Sequence, residues 1–165
     1  MKKYWWKEEK KEVVTRKGNY KIGQYYKTTD GYEGFIFEIG ENGTPSKLIS
    51  LKFTKHGNGS WNDEKKYFDE IKAKGSKEYF PTQEELMRAW SWHDLIDAEV
   101  DRIRKEGIEA DHIKTDENET AFWCWSSSQN SSSDARYVDT NTGYVYYNGN
   151  AYTNASNRVR AFVAL

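Results

Sequence analysis

The sequence contains one cysteine and no apolar stretch that approaches the length of a membrane span. A single thiol, Cys124, cannot form an intrachain disulfide or supply the cysteine cluster of a zinc site. Because Cys124 lies between two tryptophans in AFWCW, we expect a buried, unreactive side chain. The first twelve residues, MKKYWWKEEKKE, lack the apolar core and cleavage site of a signal peptide. We therefore expect no membrane insertion, and a chain that is soluble or exported by a route that this sequence does not show.

Other absences concern charge and catalysis. The formal net charge of −1 provides no overall attraction for nucleic acid or acidic membranes. The three histidines, His56, His93 and His112, have no ligand-type spacing. No Ser-His-Asp arrangement, paired-carboxylate motif or glycine-rich phosphate loop is recognisable. We therefore predict a protein that is not an enzyme and needs neither a metal nor a cofactor.

Aromatic residues make up 16% of the chain, whereas all hydrophobic residues together make up 36%. Because each large ring buries much area, a polar chain of 165 residues can still form one domain around Trp, Tyr and Phe. We place this domain at residues 21–165, with residues 1–20 as a tail or edge strand. The Tyr4-Trp5-Trp6 cluster favours an edge strand over a docking tail or membrane-surface anchor.

The first half of the domain has the pattern of short strands. Alternating or β-branched runs occupy Lys21–Tyr26, Gly34–Ile39 and Lys47–Phe53. The segments between them, Thr28–Gly31 and Glu41–Ser46, are rich in Gly, Asp, Asn and Pro. This composition is typical of hairpin loops.

Helices are predicted in the middle of the chain. Asn62 or Asp63 can cap a first helix, which Gly75 ends. The apolar positions of that helix share one face, and they are Tyr67, Phe68 and Ile71. Thr82 and Glu85 have the spacing of a capping box, which starts another helix.

A further helix start at Ser91 with Asp94 leads to a helical pattern that stops at Gly107. The same residues also fit one long bent helix that begins at Thr82. The sequence leaves both possibilities open.

Two alternating runs predict a hairpin near the C-terminus. They are Ala135–Asp139 and Tyr144–Tyr146, with Asn141-Thr142-Gly143 as the turn. Val138 and Val145 would then face inward. The outward row would be Tyr137, Asp139, Tyr144 and Tyr146. The run Arg158–Leu165 predicts a buried strand that closes the sheet, and its inward face would carry Val159, Ala161, Val163 and Leu165.

Between Asn130 and Leu165 the sequence has no Lys, Glu, Gln, Met or Trp, although Lys and Glu dominate the first 120 residues. Every residue of this span can be encoded by a codon that ends in a pyrimidine, and randomising the adenines of AAC or AAT codons would produce this set. Tyr provides rigid contact area and Ser, Gly and Asn provide adaptable hydrogen bonds, as in antibody paratopes. We therefore predict a binding surface, with a polar loop region whose tyrosines pack on the sheet as the alternative.

Four segments of the chain together resemble the variable proteins of diversity-generating retroelements, particularly those of gut Bacteroides and their phages. These segments are YFPTQEEL, WCWSSSQ, ARYVDTNTGYVYYNGN and NRVRAFVAL. The resemblance covers about Lys21 to Leu165. It implies an α+β, C-type lectin-like fold with mixed or antiparallel sheets and two or three helices. It also implies that a reverse transcriptase rewrites adenine positions in the 3′ end of the gene.

The resemblance assigns residues to a fixed scaffold and to a varied, ligand-facing set. The scaffold would comprise Trp125, Ser126, Ser127, Gln129, Ala135, Val138, Gly143, Val145, Arg158, Val159 and Arg160. The ligand-facing set would comprise Asn130, Ser132, Asp134, Tyr137, Asp139, Asn141, Tyr144, Tyr146, Tyr147, Asn148, Asn150 and Tyr152. The implied partner is a protein or cell-surface receptor, and the implied location is a phage particle or cell surface. Two features depart from the family: we expect this chain to lack the upstream export signal or extra domain that many relatives carry, and Arg136 stands where an aromatic residue is common.

A carbohydrate-binding lectin, with or without calcium, is the alternative among binding functions. A calcium site needs several converging carboxylate and amide oxygens. Trp61-Asn62-Asp63 is similar to a lectin calcium motif, but it lies in the wrong half of the chain and has no Glu-Pro-Asn or Gln-Pro-Asp partner. The formylglycine-generating oxidases of the broader fold family use two reactive cysteines, and this chain has one.

Overall fold

The computed structural model describes residues 19–116, 123–151 and 157–165, so the predictions for residues 1–18 and for Tyr152 lie outside the described ranges. Within these ranges the chain is an α+β protein with three helices and two antiparallel sheets, which confirms the predicted class. The helices are α1 Trp61–Ala73, α2 Gln83–Ser91 and α3 His93–Arg104. The strands are β1 Tyr25–Lys27, β2 Glu33–Ile39, β3 Pro45–Ser50, β4 Glu78–Tyr79, β5 Trp123–Gln129, β6 Asp134–Asp139, β7 Val145–Asn150 and β8 Phe162–Ala164.

The larger sheet has the strand order β1-β2-β3-β8-β4, so β8 lies inside it rather than at an edge. Both faces of this sheet are covered. Phe35, Phe37 and Phe162 pack with α3 into the main core, whereas Ile36 and Val163 pack on the opposite face. The single inward face predicted for the last strand is therefore wrong. Leu165, assigned to that face, is 37% exposed because β8 ends before it.

Helix α1 begins slightly earlier than the sequence indicates. Ser60 is the N-cap, and its hydroxyl accepts the backbone N–H of Asp63 at 3.2 Å. The predicted caps, Asn62 and Asp63, lie inside the first turn. Trp61 is buried there, and its indole N–H donates to the Ser126 carbonyl at 2.7 Å. This distant contact, which the local pattern does not contain, places Trp61 in the helix.

Helices α2 and α3 are separate. The capping box that opens α2 is confirmed, because Thr82 and Glu85 exchange both side-chain to backbone hydrogen bonds. The cap predicted at Ser91 is wrong: its hydroxyl donates back to the Arg88 carbonyl at 2.6 Å. Trp92 stands between the two helices with φ −100° and ψ 19°, and no side chain caps α3.

The smaller sheet, β5-β6-β7, carries the predicted hairpin. Val138 pairs with Val145, and Tyr137 pairs with Tyr146, as the alternating pattern indicates. Cys124 and Val138 pack into the main core. Neighbouring positions on the opposite face join a second core, whose buried members are Trp61, Phe68, Trp125, Ala135, Ala151, Val159 and Ala161. In the described part of the chain, no helix has both the length and the apolar character needed to cross a membrane.

Candidate functional site

Strand β5 forms the fixed base of the hairpin. Trp125 is fully buried, and its indole N–H donates to the Gly59 carbonyl at 2.9 Å. At the other end of the strand, the backbone N–H of Ser127 donates to the Pro81 carbonyl at 2.7 Å. The base is therefore tied both to the loop before α1 and to the start of α2.

The turn between β6 and β7 is fixed by Asp139. One carboxylate oxygen accepts the backbone N–H of Asn141 at 2.9 Å and of Thr142 at 3.4 Å. The Asp139 carbonyl accepts from Gly143 at 2.7 Å. This is an Asx-type turn, in which a side chain replaces the missing backbone partners. Asp139 is only 8% exposed, so its assignment to the outward, ligand-facing row is wrong.

The turn is also fastened to distant parts of the chain. The Asn141 side-chain amide donates to the Thr115 carbonyl at 2.9 Å. Asn141, another predicted ligand-facing residue, is therefore half-buried. The Trp90 indole N–H donates to the Thr140 carbonyl at 2.7 Å. Gly143 adopts φ +81°, and a Cβ there would lie 2.5 Å from the Trp90 ring. Only glycine fits this close approach without displacement of the ring.

We expect Asp139→Ala to lower the free energy of unfolding by about 1–3 kcal/mol, because it leaves two turn N–H groups without their acceptor. Urea unfolding followed by circular dichroism measures the loss. Ser132→Ala, at an exposed position of the preceding loop, is the matched control and should change stability by less than about 0.5 kcal/mol. Equal, small effects of the two substitutions would contradict a structural role for Asp139.

Tyr137 is a supporting residue rather than a fully outward one. It is half-buried, and its ring meets the Trp125 ring edge to face with centroids 5.7 Å apart. On its other side it stacks on Tyr146 at 5.1 Å. Burial, followed by the nearby Tyr146, raises the pKa of Tyr137 above its ordinary value. The predicted outward row is thus reduced to Tyr144 and Tyr146.

The adjacent residues Tyr146 and Tyr147 point to opposite faces of the sheet, and a bulge lies between Tyr146 and Gly149 of β7. Ala135 pairs with Gly149, but two residues further along β6 the partner is Tyr146, so β7 contains one extra residue. Tyr146 lies on the face of Tyr137. The ring of Tyr147 lies 4.9 Å from the Arg136 guanidinium, on the opposite face.

Arg136 connects this second face of the sheet to helix α2. Its Nη1 donates to the Gln83 side-chain oxygen at 2.7 Å, and its guanidinium lies against the Tyr147 ring. The sequence marks Arg136 only as a departure from the family pattern. Its contact with the first residue of α2 depends on tertiary packing, so no local signal indicates it.

Seven of the twelve predicted ligand-facing residues are exposed in the structure. They are Asn130, Ser132, Tyr144, Tyr146, Tyr147, Asn148 and Asn150. Three are half-buried, namely Asp134, Tyr137 and Asn141. Asp139 is buried and Tyr152 is outside the described residues. The exposed set lies on β7, its turn and the loop between β5 and β6.

No metal-holding cluster accompanies this surface among the described residues. Residues 19–116, 123–151 and 157–165 contain no group of three or more His, Cys, Asp or Glu side chains arranged to hold a metal. Asp63, part of the lectin-like sequence motif, instead accepts the backbone N–H of Asn58 at 2.8 Å. Cys124 is fully buried as predicted, and burial raises the pKa of its thiol to about 12. A thiol so rarely ionised is a poor nucleophile.

Comparison with known proteins identifies no family for this chain. No protein-family model and no curated protein sequence matches this chain. The functional proposal therefore rests on the geometry of the hairpin.

Proposed function

We propose that this chain is a variable protein of a diversity-generating retroelement, with a C-type lectin-like fold, that binds a protein or cell-surface ligand. The observation that carries the proposal is a group of exposed tyrosines on a hairpin that is held by buried contacts. Tyr144, Tyr146 and Tyr147 are 66%, 39% and 48% exposed. Tyrosine is among the residues that protein interfaces favour.

The composition of the exposed set supports recognition of a macromolecule. Tyrosine gives a large contact area and loses little rotamer entropy on binding, and asparagine and serine form adaptable hydrogen bonds. Lysine and glutamate, which interfaces disfavour, are absent from residues 130–165. Tyrosines on both faces of the edge strand β7 would form a ridge, and such a ridge fits a concave site on the ligand.

The division between buried and exposed positions supports diversification. Substitutions at exposed positions without structural contacts usually change stability by less than about 0.5 kcal/mol. The hairpin is held instead by buried groups such as Trp125 and Asp139. Exposed residues such as Ser132, Tyr144 and Asn148 can therefore change from variant to variant while the backbone that presents them stays the same.

The triple substitution of Tyr144, Tyr146 and Tyr147 by serine should lower the free energy of unfolding by less than about 1 kcal/mol, since these rings face solvent. Tyr137→Ser, which removes a ring packed on Trp125, should cost about 2–4 kcal/mol. Urea unfolding of the two variants measures the difference. If the triple variant lost as much stability as Tyr137→Ser, the exposed tyrosines would belong to the core and the binding proposal would fail.

The nucleotide sequence around the gene tests the retroelement directly. We expect a near-copy of the 3′ end beside a reverse-transcriptase gene, differing from the coding copy at adenines. Differences should fall in the codons of exposed residues such as Tyr144 and Tyr147, and not in those of Gly143 and Gly149. A neighbourhood without a template copy and reverse transcriptase would overturn the proposal. A calcium-dependent signal on a glycan panel would instead assign the surface to carbohydrate binding.

A further inference from the structure

A second candidate site lies away from the hairpin. A half-open cavity of about 350 Å³ is lined by β3 and the loop after it, β4, β8, α1 and the β1–β2 turn. Its volume falls within the range of small-molecule sites. Aromatic and polar side chains line it together, and those used below are Tyr32, Lys52, His56, Tyr67 and Glu78.

A buried carboxylate orients the histidine of this cavity. Glu64 is fully buried, and its two oxygens engage His56: one accepts the backbone N–H at 2.8 Å and the other meets ring Nδ1 at 2.7 Å. The imidazole also stacks on Tyr67, with ring centroids 3.5 Å apart and planes 7° from parallel. The ring is thus held by a hydrogen bond at one nitrogen and by packing on one face.

This arrangement fixes which ring nitrogen is left for a ligand. An ionised carboxylate only accepts hydrogen bonds, so Nδ1 carries the proton that is shared with Glu64. Nε2 is then a hydrogen-bond acceptor when the ring is neutral. The same carboxylate–histidine pairing orients imidazoles in catalytic and metal sites of other proteins.

The charges around the cavity favour a cationic ligand. Glu78 lies on β4 and lines the cavity, and after burial its carboxylate is the next cause that raises the pKa of Tyr67. The ammonium of Lys52 is engaged by Glu109 at 2.6 Å on the surface. The Lys77 ammonium already lies 5.7 Å from the Tyr32 ring centroid, so the Tyr67 ring supplies the aromatic wall that would attract an organic cation.

We propose that this cavity binds a small organic ammonium ion, with the Glu78 carboxylate as its counter-charge and His56 Nε2 as its hydrogen-bond acceptor. The ammonium would donate to both groups, and its carbon skeleton would lie against Tyr67. This site is independent of the hairpin, so its existence does not rest on the proposed recognition function.

Calorimetric titration with ethanolamine hydrochloride tests the site, with ethylene glycol and sodium acetate as neutral and anionic probes of similar size. The titration extends into the millimolar range because so small a probe makes few contacts. Saturable binding of ethanolamine alone is expected. Glu78→Gln should weaken it about tenfold or more, since a hydrogen bond to a charged group is lost. Glu41→Gln, on an exposed loop, is the matched control and should bind as the original chain does.

Nuclear magnetic resonance of the unmodified chain gives a readout that requires no variant. Ethanolamine should shift the ring-proton signals of His56 and leave those of His93 and His112 in place. Thermal unfolding of Glu78→Gln establishes that the variant is folded before its affinity is compared. The proposal would be overturned by the absence of saturable ethanolamine binding, by equal binding of ethylene glycol, by a Glu78→Gln variant of full affinity, or by equal shifts of all three histidines.

Discussion

Replacing Arg160 by methionine is expected to lower the free energy of unfolding by about 3–5 kcal/mol, one of the two largest effects of any substitution proposed for this chain. The Arg160 guanidinium is 1% exposed. It donates to the carbonyls of Ser50 at 2.7 Å, of Leu51 at 3.0 Å and of Asp111 at 3.0 Å. Methionine would fill much of the space but remove every hydrogen bond that the guanidinium donates; the Leu51 carbonyl would keep only the backbone N–H of Asp111 at 2.8 Å.

The charge of Arg160 persists despite its burial. Burial lowers the pKa of this guanidinium to about 10, so the side chain stays protonated at neutral pH. The guanidinium carbon lies 4.7 Å from the Phe53 ring centroid, which adds a cation–π contact. Arg160→Lys should also be strongly destabilising, because an ammonium cannot reproduce the planar fork that reaches several carbonyls.

Arg102→Met is the matched control for Arg160. Arg102 bonds Glu99 and Glu106 at 2.6–3.0 Å, but its side chain is 51% exposed. Exposed ion pairs contribute little to stability, so a loss below about 1 kcal/mol is expected. Urea unfolding at neutral pH compares the variants. Comparable losses of unfolding free energy for the Arg102 and Arg160 variants would show that burial of the guanidinium does not determine how much it contributes to stability.

Trp125→Ala should cost about 3–5 kcal/mol, because it empties the centre of the second core and removes the hydrogen bond to Gly59. Gly149→Ala should cost about 1–3 kcal/mol, since its added Cβ would lie 2.7 Å from the Trp125 ring and 2.8 Å from Tyr137. The two losses of stability arise at one contact, between Gly149 and the Trp125 ring, and are therefore coupled. In a chain that already carries Trp125→Ala, the destabilisation caused by Gly149→Ala should be at most half as large.

A double-mutant cycle measures this coupling, which we expect to be about 1 kcal/mol or more. Gly31→Ala provides a control, because a Cβ added at Gly31 would meet no atom within 4 Å and its cost should not depend on Trp125. Additive effects of Trp125→Ala and Gly149→Ala would mean that the tryptophan ring does not set the requirement for glycine.

Local patterns were sufficient to predict several elements. The capping box at Thr82 needs only residues three positions apart, and the β6–β7 hairpin needs only its alternating runs and the turn that ends at Gly143. The α+β class follows from the order of such elements. Each of these features depends on residues that lie close together in the sequence, so local patterns are enough to predict it.

The roles of individual side chains on the hairpin could not be predicted in the same way. Alternation places Tyr137 outward and the resemblance assigns Asn141 to the ligand-facing set, but Tyr137 packs on Trp125 and Asn141 bonds to the Thr115 carbonyl. The β7 bulge likewise lies beside a contact between distant strands, because a Cβ on Gly149 would meet the Trp125 ring of β5. These contacts form only after distant segments pack together.

The interior position of β8 has a consequence for any variation of the hairpin upstream of it. Its pairing partners, β3 and β4, precede the hairpin in the chain, whereas β8 follows the hairpin. A stop codon or frameshift among the hairpin codons would leave the larger sheet without one of its interior strands, so we expect the interrupted chain not to fold. Translation in the correct reading frame through the hairpin is thus a condition of folding, so folding itself would remove interrupted variants before they could meet a ligand.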